Sequence, residues 1–412
     1  MATINILVPP LKSHVYTGGI WCVFEYAHGL YSLGHHVNII PILPCETPEW
    51  FTRPYGSFVM PTLSQRLYSS CSEIKSTVVE FWSYLKNRDN RERLGTTIQS
   101  ATESLLGLTP KIFGYSITRA LSFRHARQWI PEADITIATS FETVLPTFLF
   151  GTGKKFYFMQ HYEVLFHSEK QDPEIAKAEA QLSYHLGLQL IANSSWLQNT
   201  VMHQTGVKSI PVCLNAIDHT IFNSMDHNRH DTDELIIISY GGRNAAWKGF
   251  ADMADAVRIS RLAMPETNLR WQVYGNAILP PDNKVAKFEP LGFLQPSALA
   301  QAYRNADIML SASWYESFPL FPLEAMACGL ATISTALGTE DYAIHGVNAE
   351  IVIPREPQSI ADAIIKLAQN TDYRKALGEH AKTSSRNFTW EKSVNTMEAI
   401  LLEKDHDTKQ PH

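Results

Sequence analysis

The sequence predicts an α/β protein of two doubly wound domains, each a parallel sheet covered by helices on both faces. Its length of 412 residues, 45% of them apolar, suffices for two or three domains that each bury a core. Short apolar runs alternate with stretches of helical period along most of the chain, the order expected of parallel strands joined by helical crossovers. A polar stretch without period then divides the alternation into two series.

The first series opens with Ile4–Pro9, a strand-length run closed by prolines. Tyr16-Thr17-Gly18-Gly19 then leads into a helical pattern that runs through Leu33 and stops at Gly34, before a second run at Val37–Leu43. Strands are expected again at Ile135–Thr139, Lys155–Gln160, Leu188–Ala192 and Ile210–Leu214, with helices at Ala176–His185 and Ser195–His203. Around Asn223–Asp233 the sequence turns polar, which marks a boundary between a domain over 1–222 and one over 234–389. The second series comprises Leu235–Tyr240, Trp271–Tyr274, Ile308–Ser311, Ala331–Ser334 and Glu350–Ile353. Two such domains are expected to offer strand ends to one ligand in a cleft between them.

Residues 61–128 break the pattern with ten Lys and Arg, among them Arg88, Arg91 and Arg93, against five acids. A solvated helical insertion accounts for them, and so does a docking face for an anionic lipid or polyanionic glycan, since Phe81, Trp82, Leu85, Leu105 and Leu106 supply apolar partners.

Net charge of -6 gives no general attraction to nucleic acid. The five cysteines are far apart and form no CxxC pair, which points to a reduced chain without a cysteine-based zinc site. The first residues lack a charged segment followed by an apolar one, and no stretch reaches ~18 apolar residues, so neither a cleaved signal nor a membrane span is expected. The expected location is cytoplasmic, with the basic insertion allowing peripheral contact at the inner face of a membrane.

Two segments carry chemistry. After Leu235–Tyr240 comes Gly241-Gly242-Arg243-Asn244-Ala245-Ala246-Trp247-Lys248-Gly249, in which two cations leave a strand and enter a helix. Fixed positive charge beside free helix N–H groups is what a diphosphate needs, although two surface cations on a tight turn would share the pattern. After Ile308–Ser311, Glu316 lies on the loop at a strand's carboxyl end and Glu324 on the helix that follows. Each carboxylate there can accept hydrogen bonds from sugar hydroxyls, one from a hexose and the other from a ribose diol. The plainer role for Glu324 is that of an acid favoured near a helix start. In the first domain, Gly18 and Gly19 follow the first strand and let the backbone approach a phosphate or sugar. Asp231-Thr232-Asp233 spells a metal-binding DxD, but in a polar linker before a strand. His219, His227 and His230 with Asp226 match no paired-ligand spacing, so no metal site is expected.

With these residues in view, the chain resembles the retaining glycosyltransferases of family 4, whose GT-B fold has two Rossmann-like domains. The resemblance rests on Gly242-Arg243 with Lys248-Gly249, on Glu316 and Glu324 in ESFPLFPLEAMACG, and on Asp341-Tyr342 to Asn348-Ala349. It extends through Thr17-Gly18-Gly19, Ser194-Ser195-Trp196 and Leu214-Asn215-Ala216-Ile217-Asp218. The stretch Phe156 to Glu163 is most similar to enzymes of bacterial surface-polysaccharide assembly, rhamnosyl-transferring ones included.

The resemblance implies a nucleotide-diphosphate sugar held mainly by the second domain, with Arg243 and Lys248 on the diphosphate, Glu324 on the ribose and Glu316 facing the transferred sugar. Gly242 and the backbone N–H groups of Ser317, Phe318 and Leu320 would help hold it, whereas Pro319 stands where the family often has a glycine donor. Base contacts are expected near Gly275-Asn276. His161 would touch the donor sugar, with Glu163 the neighbour able to replace it. The terminal helix, about 390–404, would cross back to the first domain on its stripe of Trp390, Val394, Met397, Ile400 and Leu401.

The function expected is metal-independent, cofactor-free transfer of a hexose to a hydroxyl of a glycan or lipid-linked glycan. A sugar-nucleotide epimerase would need acid and base flanking one sugar carbon, which the spaced glutamates do not suggest. A non-catalytic subunit that binds a nucleotide sugar is the alternative from another class.

Overall fold

The computed structural model describes residues 1–60, 129–166, 173–224, 234–241, 245–275 and 287–403. The basic insertion at 61–128, the linker carrying Asp226, His227, His230, Asp231 and Asp233, and the pair Gly242 and Arg243 all lie outside the described residues. The chain divides into two units. Unit 1 holds Met1–Asn193, Leu197–Cys213 and the residues from Ser393 onward, and unit 2 holds Ser194–Trp196 with Leu214–Lys392.

In unit 1 the elements are β1 (Thr3–Val8), α1 (Gly18–Ser32), β2 (His36–Pro41), β3 (Ser57–Phe58), β4 (Ile135–Ala138), α2 (Phe141–Phe150), β5 (Lys154–Met159), α3 (Pro173–Ser183), β6 (Gln189–Ala192) and α4 (Ser195–Thr205), whose first two residues count with unit 2. The six strands are parallel in the order β3-β2-β1-β4-β5-β6. Their central members β1 and β4 are buried at successive positions, Asn5 and Thr136 included, because both faces of the sheet are covered.

Unit 2 repeats the plan with β7 (Glu234–Tyr240), α5 (Phe250–Ala263), β8 (Asn268–Tyr274), β9 (Glu289–Gly292), α6 (Pro296–Arg304), β10 (Ile308–Ser311), α7 (Leu320–Ala327), β11 (Ala331–Thr335), β12 (Glu350–Val352), α8 (Pro357–Gln369) and α9 (Thr371–Ser385). Its sheet order is β12-β11-β10-β7-β8-β9. Side chains of β7 alternate between two cores. Leu235 and Ile237 join Met253, Trp271 and Ile364 on one face, while Ile236 and Ile238 join Tyr303, Leu323 and Met326 on the other. In each sheet the strand order reverses once, between β1 and β4 and between β7 and β10, and such switch points are where doubly wound sheets bind ligands.

Three details differ from the sequence reading. Ile210–Leu214 forms no strand, only one bridge from Val212 to Ala192, because Pro211 has no N–H to donate to a ladder. Strands β3 and β9 went unread: one is two residues long, and the other, Glu-Pro-Leu-Gly, is mostly exposed and carries no period. The change of unit falls at Cys213/Leu214, not after residue 222. Ile217 and Phe222 bury in the core of unit 2, so apolar contact changes before composition does.

The last helix among the described residues is α10 (Trp390–Leu402), whose Val394, Met397 and Leu401 are buried. Gly29 of α1 lets this helix approach closely, since a Cβ there would stand 2.2 Å from Cγ2 of Val394. His35 Nε2 lies 2.8 Å from Glu398 Oε1 and secures the next turn. Gly29→Ala should therefore cost about 1–3 kcal/mol, and a Val394→Ala background should recover most of that loss. Urea unfolding of the two single variants and the double variant tests this, and simply additive costs would contradict the contact.

Candidate functional site

At the switch point of unit 2 the chain leaves β7 through Gly241 and reaches a 3-10 turn at Ala246–Lys248. Gly249 ends that turn with φ 69°, and a Cβ there would lie 2.0 Å from the carbonyl oxygen of Ala312, just past β10. Any side chain at 249 would separate the two loops. The Trp314 N–H donates to the Trp247 carbonyl across the same gap, at 2.7 Å.

That approach brings Lys248 to Glu316. The ammonium donates to Oε1 of Glu316, which also accepts from Ser313 Oγ at 3.1 Å. Glu316 is only 6% exposed, so its charge depends on such partners. The ammonium lies 4.2 Å from the centre of the Trp247 ring, which stacks on Tyr315 at 5.6 Å. Trp314 holds the loop from the other side, donating to Asp252 Oδ2 at 2.6 Å under the Arg355 guanidinium 3.9 Å away. An ammonium has three donors, so a Lys248 bonded to Glu316 retains the capacity to bond phosphate oxygens.

The same loop runs into α7. Pro319 stands at its N-cap without a side-chain acceptor, and Tyr342 fixes the turn by donating to the Pro319 carbonyl at 2.8 Å. Leu320 opens the helix, so its N–H is a first-turn donor with no helix carbonyl behind it. Ser317 and Phe318 are buried, the first 3.3 Å from Ser194 Oγ and the second ringed by Tyr342 and Phe388. What they can offer a ligand comes from their backbone.

Glu324 sits one turn further along α7, near the buried Tyr274 and Tyr303, whose hydroxyls are 2.7 Å apart. Its Oε2 is buried without a hydrogen-bond partner among the described residues, and burial pushes the carboxyl up to about 8. An orphaned acceptor of this kind suits a hydroxyl-bearing ligand. Gly275 ends β8 and donates to the Gly292 carbonyl at 2.8 Å, while Asn276 lies outside the described residues. Among the described residues, no group of three His, Cys, Asp or Glu is placed to hold a metal ion.

In unit 1, Gly18 and Gly19 form the first turn of α1, and His161 follows β5 with its ring 4.3 Å from Phe166. Glu163, considered as a substitute for His161, is committed elsewhere. Its two oxygens accept from the Phe141 N–H at 3.1 Å, and one also from Tyr157 at 3.0 Å, so it caps α2. The structure thus groups Lys248, Glu316, Ser317, Phe318, Leu320, Glu324 and Gly275 in unit 2, and Gly18, Gly19 and His161 in unit 1. Sequence reasoning missed Ser313, Trp247 and, in unit 1, Gln160. The one available signal was a polar residue ending an apolar strand at Gln160.

Residues 235–370 match the family model described as Glycosyl transferases group 1. The D-inositol 3-phosphate glycosyltransferase of Corynebacterium jeikeium is 35% identical over 109 residues, 26% of each chain. The chain spans about a quarter to a third of the length of the first curated relatives it matches. Sucrose-phosphate synthase from Thermosynechococcus elongatus shares the fold with a TM-score of 0.64 at 14% identity, over 97% of this chain and 98% of that one. HepE from Anabaena, solved with UDP-glucose, aligns with a TM-score of 0.60 at 16% identity, over 97% of this chain and 99% of that one. At these identities the likeness establishes two Rossmann-like domains of GT-B type. Residues 235–370 are thus similar to the group 1 glycosyltransferase domain, on a chain whose fold is of GT-B type.

Proposed function

We propose that this protein is a retaining, metal-independent glycosyltransferase that moves a sugar from a nucleotide-diphosphate sugar to a hydroxyl of a glycan or lipid-linked glycan acceptor. The observation that carries the proposal is the grouping of Lys248, Glu316, the start of α7 and the orphaned Glu324 oxygen at one switch point. Lys248, with Arg243, answers the charge that builds on the departing diphosphate, and the first-turn N–H groups of α7 add to it. Glu316 takes a hydroxyl of the transferred sugar, and Glu324 accepts from the ribose diol. Retention follows a front-face route in which the leaving phosphate oxygen takes the acceptor proton, so no protein base is required. Gly18, Gly19 and His161 serve as sugar or phosphate contacts in unit 1, the acceptor-side unit.

A nucleotide-sugar donor is supported by the relatives, one named as a glycosyltransferase of D-inositol 3-phosphate and one solved with UDP-glucose. Assembly of a surface polysaccharide, with rhamnosyl transfer as one form, is supported by the Phe156 to Glu163 stretch. Such work suits a cytoplasmic enzyme with peripheral contact to an anionic membrane. Among the described residues, no helix is long and apolar enough to cross one.

Lys248→Ala and Arg243→Ala should each lower turnover by at least ~100-fold, the loss of about 3 kcal/mol at a developing diphosphate charge. Near-normal rates in both would remove the diphosphate assignment. EDTA should leave the rate unchanged, and a loss restored by magnesium or manganese would point back to Asp231 and Asp233. Glu324 gives a pH test. Its carboxyl is protonated below about 8, and ribose hydroxyls donate to the ionised form, so donor binding releases a proton. Donor affinity should rise as pH is raised from 6 and level off above about 8, and Glu324→Gln should flatten the profile. A wild-type affinity independent of pH over that range would separate Glu324 from the donor.

A further inference from the structure

In unit 2 the loop that carries Glu316 has a cation over an aromatic ring on each side. Lys248 lies 4.2 Å from the centre of the Trp247 ring, which stacks on Tyr315, and the Arg355 guanidinium lies 3.9 Å from the centre of the Trp314 ring. Strands β7, β10 and β12 run parallel in one sheet, so the turns after them, which hold Lys248, Trp314 and Arg355, leave the same edge. Arg355 is exposed, and among the described residues its guanidinium makes no hydrogen bond and no ion pair. The acid at this platform, Asp252, is bonded to Trp314 Nε1 at 2.6 Å instead.

The backbone under this side chain is unusual. Among the described residues Arg355 is the one non-glycine with positive φ, 63°, a conformation that crowds its Cβ and that glycine would adopt without cost. Its neighbours hold it there. Pro354 and Pro357 fix their own φ, and Pro357 keeps Glu356 out of the helical region, at φ -118° and ψ 88°. The Ile353 N–H closes the turn by donating to Ser359 Oγ at 3.1 Å. An exposed arginine adds little to a core, so burial does not account for a side chain kept at this cost. Its chemistry does. A guanidinium laid flat on an indole keeps its N–H groups in the ring-parallel plane, pre-organised to bond two oxygens of one carboxylate or phosphate. A neutral hydroxyl would gain nothing from that fixed charge.

We propose that Arg355, set on Trp314, forms an oxyanion subsite at the rim of the unit 2 site and selects a substrate sugar that carries a carboxylate or phosphate. This group is separate from the nucleoside diphosphate given to Lys248 and Arg243. The oxyanion rests on Arg355 and its platform, while its attachment to a sugar rests on the glycosyltransferase reading. The charged sugar is that of the donor or of the acceptor, and the test separates them.

The full chain, as wild type, Arg355→Gly and Arg355→Lys, would be titrated calorimetrically at fixed salt with matched charged and neutral ligands. UDP-glucuronate against UDP-glucose and GDP-mannuronate against GDP-mannose read the donor. Methyl glucuronide and glucose 6-phosphate against methyl glucoside and glucose, with and without the nucleoside diphosphate, read the acceptor. In one arm the wild type should prefer the charged ligand by ~10-fold or more, and Arg355→Gly should bring that preference to within about twofold. Arg355→Lys, which keeps the charge and loses the planar fork, should retain a preference of only ~3-fold. Affinity for UDP and GDP should be the same in all three proteins. Glycine suits the φ at 355, so loss of the ring contact is offset by relief of the backbone, and Arg355→Gly should melt within about 2 °C of wild type. No charge preference in either arm, a preference that survives in Arg355→Gly, a weaker hold on UDP or GDP in that variant, or a melting temperature lower by more than about 5 °C would each overturn the subsite. Failure of the wild type to bind any nucleotide or nucleotide sugar would instead overturn the glycosyltransferase reading, and the assignment of the oxyanion to a sugar with it.

Discussion

The chemistry of unit 2 depends on a backbone approach in which the loop leaving β7 meets the loop leaving β10 at Gly249 and Ala312. The clearance admits only a hydrogen on Gly249, and the Trp314 to Trp247 bond closes the same seam. Because these loops leave strands that are paired neighbours, the sheet fixes their spacing. A side chain at 249 would have to push Lys248 away from Glu316. The reversal of strand order opens the crevice, and the seam decides which side chains face into it.

Two glutamates eight positions apart in one motif then acquire different characters. Glu316, on the loop, receives Lys248 and Ser313 and is held in place by both. Glu324, on the helix, has an oxygen with no donor among the described residues, so burial drives its carboxyl towards protonation near neutral pH. Carboxylates separated in this way suit separate tasks, one organised before any ligand arrives and one completed by it.

Unit 1 shows the same contrast among Gln160, His161 and Glu163. The residue with the strongest formal charge, Glu163, is consumed in capping α2 and in bonding Tyr157. The neutral Gln160 is left with both side-chain amide atoms unmet among the described residues, beside the first turn of α1. Charge on a sequence motif is thus a poor guide to availability, because a helix N-terminus is itself a strong competitor for a carboxylate.

The sequence by itself determined the two parallel sheets, because a strand covered on both faces is dominated by apolar residues, as at β1, β4 and β10, where only Thr3, Asn5, Thr136 and Ser311 are polar. It also marked Lys248, Glu316 and Glu324 as chemical residues through their places after strands and at a helix start. Tertiary structure alone decided that Lys248 and Glu316, 68 positions apart, bond each other, that Glu163 is spent on α2, and that the Gln160 side chain has no hydrogen-bond partner among the described residues. It likewise moved the unit boundary to Cys213/Leu214 and denied Ile210–Leu214 a ladder. Periodicity records which face of an element is buried, whereas the partner of a polar atom is set by the distant segment that packs against it. That segment has no signature in the local sequence.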